Sequence, residues 1–330
     1  MLNDIQGKVI LSGLQSSGAL HIGNYFGAIR QHLLLQEQNE CYYFIANYHA
    51  LTSIKDNKQL AENTLMMAVD YLALGLNPDK AALFIQSDIP EVTELAWILS
   101  TVTPMGLLER GHSYKDKIAK GALPNHGLFA YPVLMAADIL IYDSDVVPVG
   151  KDQKQHLEMT RDIAEKFNII FGETLKLPND LILPEVAVVP GLDGQKMSKS
   201  YGNTIDIFMD YGPLKNRIMS IITDSTSLEA PKNPDTSTIF SLYRLLADSD
   251  EVERMRNKFL AGGYGYGHAK KELLEKIYLY FEAPRNKREQ LGNNLDYVEK
   301  VLKDGAKKAR ERAISVMERV RNSAGILKFL

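Results

Sequence analysis

A short apolar run that breaks into a turn of small residues and then enters a helical pattern opens this chain and limits what the rest can become. Residues 9–24 read Val9-Ile10-Leu11-Ser12-Gly13-Leu14-Gln15-Ser16-Ser17-Gly18-Ala19-Leu20-His21-Ile22-Gly23-Asn24, and Tyr25, Phe26, Ile29 and Leu33 continue at helical spacing. This is a strand, a turn and a helix in immediate succession. The alternation recurs: further strands are expected over 41–46 and 82–86, and helices over 22–37, 59–74 and 91–102. Such a pattern predicts a parallel sheet with helices packed on its faces. The helix ends are punctuated accordingly, with Gly75 and Asn77-Pro78-Asp79 after the second helix and Pro90 at the start of the third.

Residues 104–170 read as mostly helical, and 152–167 is amphipathic, with Leu157, Ile163, Ala164 and Phe167 at core spacing. Trp97, the only tryptophan, falls with Ile98 and Val102 at a spacing that predicts packing rather than a stacking platform. Another strand is expected over 186–189, returning the chain to the sheet. Beyond about Tyr201 the strand signals fade, and 206–330 reads as successive helices broken near Asn233-Pro234, the glycine-rich 262–267 and Ala283-Pro284. The expected fold class is therefore α/β. It is a doubly wound, Rossmann-like parallel sheet with a helical insertion over residues 1–205, followed by a helical C-terminal domain over 206–330.

The first turn has chemical meaning. Small residues let a ligand approach the backbone, and a helix start offers unpaired N–H groups to an anion. Its spacing is not Gly-x-Gly-x-x-Gly, so a dinucleotide fingerprint is absent. A second feature lies 175 positions after His21: Lys196-Met197-Ser198-Lys199-Ser200, flanked by Gly191, Gly194 and Gly202. Two ammonium groups on one short polar loop suit a polyphosphate whose charge grows during reaction. The alternative for the loop is a solvated turn, and for His21 a helix-start cap. In a doubly wound sheet ligands bind beyond the carboxyl ends of the strands. The turn after the first strand and the loop after the last can both reach that rim.

His21-Ile22-Gly23-Asn24 resembles the His-Ile-Gly-His tetrad of the class I aminoacyl-tRNA synthetases, with Asn in the last place as in much of the tryptophan branch. The lysine loop matches that family's second signature. The blocks Tyr131-Pro132-Val133-Leu134-Met135-Ala136-Ala137-Asp138-Ile139-Leu140 and Gly150-Lys151-Asp152-Gln153-Lys154-Gln155-His156 extend the resemblance to the tryptophan branch through most of the chain. The resemblance implies activation of L-tryptophan by ATP, with Mg²⁺ carried on the nucleotide, and transfer to tRNA(Trp) by a homodimer. It assigns Lys196, Lys199 and His21 to catalysis. It places Gln15, Ser16, Ser17, Gly23, Asn24, Gly150, Lys151, Asp152 and Val189, together with Met197, Ser198, Ser200 and Lys117, around ATP. Lys151 stands where the family more often has an acid, and the segment around Lys117 has a solvated loop as its alternative.

For tryptophan the resemblance points to Asp138, Met135, Tyr131, His49 and Gln153. Asp138 sits in an otherwise apolar helical run, where a carboxylate needs a partner, and an indole N–H can only donate. Its alternative is a surface Asp paired with a base. Tyrosine-specific relatives also use an Asp, so this residue alone does not select the amino acid. Asn47-Tyr48-His49-Ala50 keeps only the His and Ala of the Asp-Gln-His-Ala found in many relatives. Three further readings stand beside the ligase of the tryptophan branch: a tyrosine-specific ligase, a non-enzymatic RNA-binding paralogue, and a small-molecule nucleotidyltransferase.

Bulk properties narrow the classes. The chain has 330 residues, 45% of them hydrophobic and 24% charged, enough for two domains. No apolar run is of membrane-spanning length, and residues 1–8 lack a basic-then-apolar leader pattern, so a cytoplasmic location is expected. One cysteine, Cys41, rules out an internal disulfide and a cysteine-rich metal cluster, and the seven histidines lack His-x-x-x-His spacing, so no protein-bound metal is expected. Net charge is −3, but residues 284–330 carry twelve basic and six acidic side chains, +6 against −9 for the rest. That asymmetry suits a polyanion held at one end; the alternative is a helix with a solvated charged face.

Overall fold

The structure is a computed structural model that describes residues 5–16, 18–111, 114, 121, 124–150, 153–181, 189–327 and 329. The chain divides into two compact units that do not follow its linear order: one is Met1–Gly18, His32–Leu183 and Asn294–Leu330, the other Ala19–Gln31 and Pro184–Asn293.

The first unit holds a sheet of five described strands, β1 (Val9–Leu14), β2 (Glu40–Ile45), β3 (Ala81–Ile85), β4 (Val146–Pro148) and β5 (Asn179–Leu181), in the order β3-β2-β1-β4-β5. Every pairing is parallel. Strands β1, β2 and β3 are buried along nearly their whole length, as expected where helices cover both faces. The order reverses between β1 and β4, which is where a doubly wound sheet opens a crevice at its carboxyl edge.

Local chemistry fixes the covering helices. Asp56 caps Asn57–Ala73 by accepting from the Gln59 N–H at 2.9 Å, and Asn125 caps His126–Leu140 through Leu128 N at 2.9 Å. Gly172, at φ +93°, ends Lys154–Phe171, whose buried Leu157, Thr160, Ala164 and Phe167 recur at one helix face. The Glu91–Ser100 helix buries Val92, Leu95 and Leu99, and this corrects the packing expected of Trp97: that side is opposite, and the indole is 73% exposed. Of the strand expected over 186–189, residues 186–188 lie outside the described residues. Val189 instead accepts from the Met197 N–H at 2.9 Å, in the turn that carries the lysine loop.

The last helix, Leu295–Ser323, belongs to the sheet-bearing unit and runs over β3. Its approach is close enough that a Cβ on Gly305 would sit 2.0 Å from the Leu83 carbonyl oxygen. Four basic residues of the charged tail are ion-paired within the unit: Arg310 with Glu91, Arg312 with Glu40, Arg319 with Asp143 and Arg321 with Glu94. Part of the tail's positive charge thus fastens the helix rather than remaining a uniformly solvated face.

The second unit contains the start of the first helix, the lysine loop, and the helices Tyr211–Met219, Thr238–Leu246, Ser249–Ala261, Tyr266–Tyr280 and Glu282–Gly292. Asp248 and Glu251 form a reciprocal capping box at the head of Ser249–Ala261. Tyr25 packs edge-on against Tyr280 and Phe281, tying the first helix into the bundle. Among the described residues no helix is long and apolar enough to cross a membrane.

Candidate active site

In the sheet-bearing unit, polar side chains follow the carboxyl ends of four strands: Gln15 after β1, His49 after β2, Gln86 after β3, and Gln153 after β4. They surround a helix face on which Tyr131, Met135 and Asp138 recur at i, i+4 and i+7. Asp138 is 1% exposed, so its alternative as a surface residue does not hold. Its carboxylate accepts from Gln86 Nε2 at 2.8 and 2.9 Å and from His49 Nε2 at 2.7 Å. The Gln86 amide is oriented from its other end, where Oε1 accepts from the Tyr48 N–H at 3.0 Å. A carboxylate accepts only, so His49 carries its proton on Nε2 here. Two aimed donors thus hold a buried acceptor, and lone-pair capacity remains for another N–H.

Tyr131 lies edge-on to His49, with ring centroids 6.3 Å apart. Its hydroxyl is 2.7 Å from His156 Nε2, and His156 Nδ1 is 2.9 Å from Gln153 Oε1. Met135 is half-buried against the core. Thus the residues expected around the amino acid stand together in one unit. Gln86 and His156 were not among them. Gln86 carried one signal, a polar residue directly after five apolar ones; His156 carried its place three residues after Gln153. Gln15 Nε2 reaches the His49 carbonyl at 3.1 Å, and Ser16 is buried, accepting from Thr64 Oγ1 at 3.3 Å. Gly150 accepts from the Gln153 N–H at 2.9 Å. Ser17, Lys117, Lys151 and Asp152 lie outside the described residues.

In the second unit the two signatures meet. An antiparallel bridge joins His21 to Asp206, and Ile22 N donates to Ile205 O at 2.9 Å. The Gly23 N–H donates to Met197 Sδ at 3.4 Å, and a Cβ at position 23 would lie 3.3 Å from Met197 Cβ. Met197 is 4% exposed while Lys196, Lys199 and Ser200 are exposed and Ser198 is half-buried. The methionine therefore pins the loop to the helix start and presents its lysines outward. Asn203 holds the loop from behind, accepting from Ser198 N at 2.8 Å and donating to Asp193 Oδ1 at 2.7 Å and Lys196 O at 3.2 Å.

His21 is the helix cap named as its alternative. Its N–H donates to Asn24 Oδ1 at 3.1 Å, and its Nδ1 accepts from the Asn24 N–H at 3.3 Å. An accepting Nδ1 puts the proton on Nε2, leaving that N–H as the ring's outward donor. A π-helical turn, Tyr25–Ile29, follows at once, a distortion common near working sites. Burial first, and the Lys199 charge second, lower the His21 pKa from 6.5 to about 4. The folded ring therefore resists protonation more than the unfolded one. Its contribution to stability is complete above 6.5 and is lost as pH falls from there through about 4. An NMR titration of the ring is expected to give a midpoint near 4, moving upward in Lys199→Ala as the coulombic part is removed. A midpoint at the ordinary value would contradict both causes.

Among the described residues no group of three or more His, Cys, Asp or Glu side chains is placed to hold a metal. The sheet-bearing unit thus offers an oriented buried carboxylate, and the second unit a neutral imidazole donor and two ammoniums on a pinned loop. These suit binding of a donor-bearing ring and charge stabilisation on a polyphosphate, with no covalent nucleophile among them.

Residues 7–282 match the model of the class I tRNA synthetases for W and Y. The tryptophan–tRNA ligase of Fusobacterium nucleatum subsp. nucleatum is 59% identical over 97% of this chain and 98% of its own length. That of Rhodopirellula baltica is 55% identical over 96% and 99%. The crystal structure of tryptophanyl-tRNA synthetase from Campylobacter jejuni, complexed with ADP and tryptophan, superposes with a TM-score of 0.92 at 51% identity, covering 96% of this chain and 99% of that one.

Proposed function

Since the chain belongs to the class I tRNA synthetases that serve tryptophan and tyrosine, we propose from its site that it is a tryptophan–tRNA ligase. It activates L-tryptophan with ATP and passes the tryptophanyl group to tRNA(Trp). The observation that carries the reading is the seating of Met197 on the Gly23 N–H, which assembles a phosphate-handling apparatus from segments 174 positions apart.

In the first step a tryptophan carboxylate oxygen attacks the α-phosphorus of ATP. A new P–O bond forms, the bond to the bridging oxygen breaks, and its electron pair leaves with pyrophosphate. The carboxylate is already ionised, so no general base is required. Lys196 and Lys199 follow the charge that builds on the β- and γ-phosphates, and the neutral His21 Nε2–H donates to a phosphate oxygen. Mg²⁺ would enter as part of the ATP substrate and would offset phosphate charge there. Gln15, Ser16, Ser17, Gly23, Asn24, Gly150, Lys151, Asp152, Val189 and Lys117 contribute to nucleotide binding. Asp138 accepts the indole N–H, Met135 packs on the ring, and Tyr131, Gln153 and His49 complete the pocket. In the second step a ribose hydroxyl of the tRNA attacks the acyl carbon and AMP departs. The helices of the second unit within residues 206–293 take the anticodon end of the tRNA, and the enzyme works as a homodimer in the cytoplasm.

Pyrophosphate exchange is expected to depend on tryptophan and to be negligible with tyrosine at the same concentration. Exchange with tyrosine alone would move the chain to the other branch, and exchange with neither would leave a binding paralogue. Asp138→Asn is expected to raise the KM for tryptophan by roughly 10- to 100-fold, the loss of a charge-assisted hydrogen bond in a buried site. A wild-type KM would remove this carboxylate from the pocket.

A further inference from the structure

His156 never needs to touch the amino acid to control how it is held. It is buried, 4% exposed, and lies between two residues of the pocket. Its Nδ1 faces the Gln153 Oε1 at 2.9 Å, and its Nε2 faces the Tyr131 hydroxyl at 2.7 Å. An amide oxygen only accepts, so Nδ1 must carry the ring proton. In the neutral ring Nε2 is then an acceptor, and the Tyr131 O–H must donate to it. The Tyr131 oxygen has one proton. Once that proton is committed to His156, every further contact the oxygen makes is one in which it accepts.

We propose that His156 is a positioning residue that fixes the Tyr131 hydroxyl as an acceptor and so selects an amino acid carrying a protonated α-amino group. The inference rests on the reading of Tyr131 as part of the tryptophan pocket. An ammonium has three donors and no acceptor, so an oxygen locked in accepting polarity suits it, whereas a freely rotating hydroxyl would have to turn first. The Asp138 end of the same helix face is set in the same sense. Gln86 and His49 hold Asp138 so that it, too, can only accept, as the indole N–H requires. The two arrangements give the pocket one acceptor for each end of tryptophan.

The test compares two ligands of the full-length enzyme by calorimetry: L-tryptophan, and indole-3-propionate, which has the ring and carboxylate but no ammonium. His156→Phe removes the acceptor at Nε2. It is expected to weaken L-tryptophan by roughly 10- to 100-fold, the scale of a hydrogen bond to a charged group, and to leave indole-3-propionate unchanged. Tyr131→Phe is expected to show the same split, and the double variant to lose no more than either single one, because the two act as one unit. His156→Gln, which can place an amide oxygen near the position of Nε2, is expected to recover part of the loss. On the wild-type protein, ¹⁵N shifts of the His156 ring are expected to show the Nδ1–H form, a readout that stands even if the phenylalanine variant does not fold.

Equal weakening of both ligands in His156→Phe would mark a packing role and overturn the proposal. So would unchanged binding of both, or an Nε2–H ring. If Tyr131→Phe separates the ligands while His156→Phe does not, the inference fails and the pocket stands. If Tyr131→Phe leaves L-tryptophan binding untouched, or the wild type binds no tryptophan, the pocket reading itself fails.

Discussion

Replacing Lys199 by alanine is expected to slow tryptophan-dependent pyrophosphate exchange at saturating ATP by roughly 10²- to 10³-fold, the usual cost of removing one group aimed at transition-state charge. The direction follows from the loop's construction. Met197 is buried against Gly23, Asn203 braces the loop from behind, and the exposed Lys199 is close enough to His21 to depress its pKa. The ammonium is therefore presented beside the helix start, where the His21 Nε2–H is the outward donor. Its worth grows as charge moves onto the leaving pyrophosphate, so the maximal rate should fall far more than tryptophan affinity. The KM for tryptophan should stay close to that of the parent enzyme, because in the proposed site the amino acid is held by Asp138 and Tyr131. Stopped-flow and exchange kinetics separate the two parameters. An exchange rate close to the parent's would falsify the phosphate role of this lysine.

The second large effect concerns stability. Gly305→Ala is expected to cost about 3 kcal/mol or more, at the upper end of overpacking substitutions. The added methyl carbon would stand 2.0 Å from the Leu83 carbonyl oxygen, 2.7 Å from its carbon and 2.9 Å from its nitrogen. All three atoms are backbone of β3, which is paired to β2 and has little freedom to withdraw. A helical glycine ordinarily costs about 1 kcal/mol relative to alanine, so the same exchange in open surroundings should help. Gly267→Ala, in the first turn of Tyr266–Tyr280 with nothing within 4 Å of the new methyl, supplies that control. Thermal melting of the two variants should shift in opposite directions. A Gly305→Ala protein that melts with the parent would mean that the helix slides on β3 at little cost.

The strands with the strongest apolar character were legible within a residue or two. The opening apolar run is a strand over Val9–Leu14, 41–46 becomes Glu40–Ile45, and 82–86 becomes Ala81–Ile85. The helices expected over 59–74 and 91–102 run Asn57–Ala73 and Glu91–Ser100. Strands β4 and β5 were not legible, because three residues each, with Pro148 in one and Asn179 and Asp180 in the other, carry no periodicity. Trp97 was misplaced because an apolar residue beside Ile98 looks like core until the helix is phased, and Val92, Leu95 and Leu99 set the phase on the other side. In the site, residues with a family signature could be named, but their supports could not. Gln86, Asn203 and His156 matter through orientation of a neighbour, and orientation leaves no mark in spacing. The pairing of Arg310, Arg312, Arg319 and Arg321 was hidden for a related reason: their acids lie 170 or more positions earlier.

That pairing has a consequence for how the protein is made. Leu295–Ser323 completes the unit whose first strand begins at Val9, and at Gly305 it lies directly against the backbone of β3. While a ribosome is still extending the nascent polypeptide, β3 exists without its covering helix, and the apolar face that Ala309, Ala313, Val316 and Val320 will seal is open to water and to other chains. Closure of the sheet-bearing unit must wait until the segment up to Ser323 has left the exit tunnel.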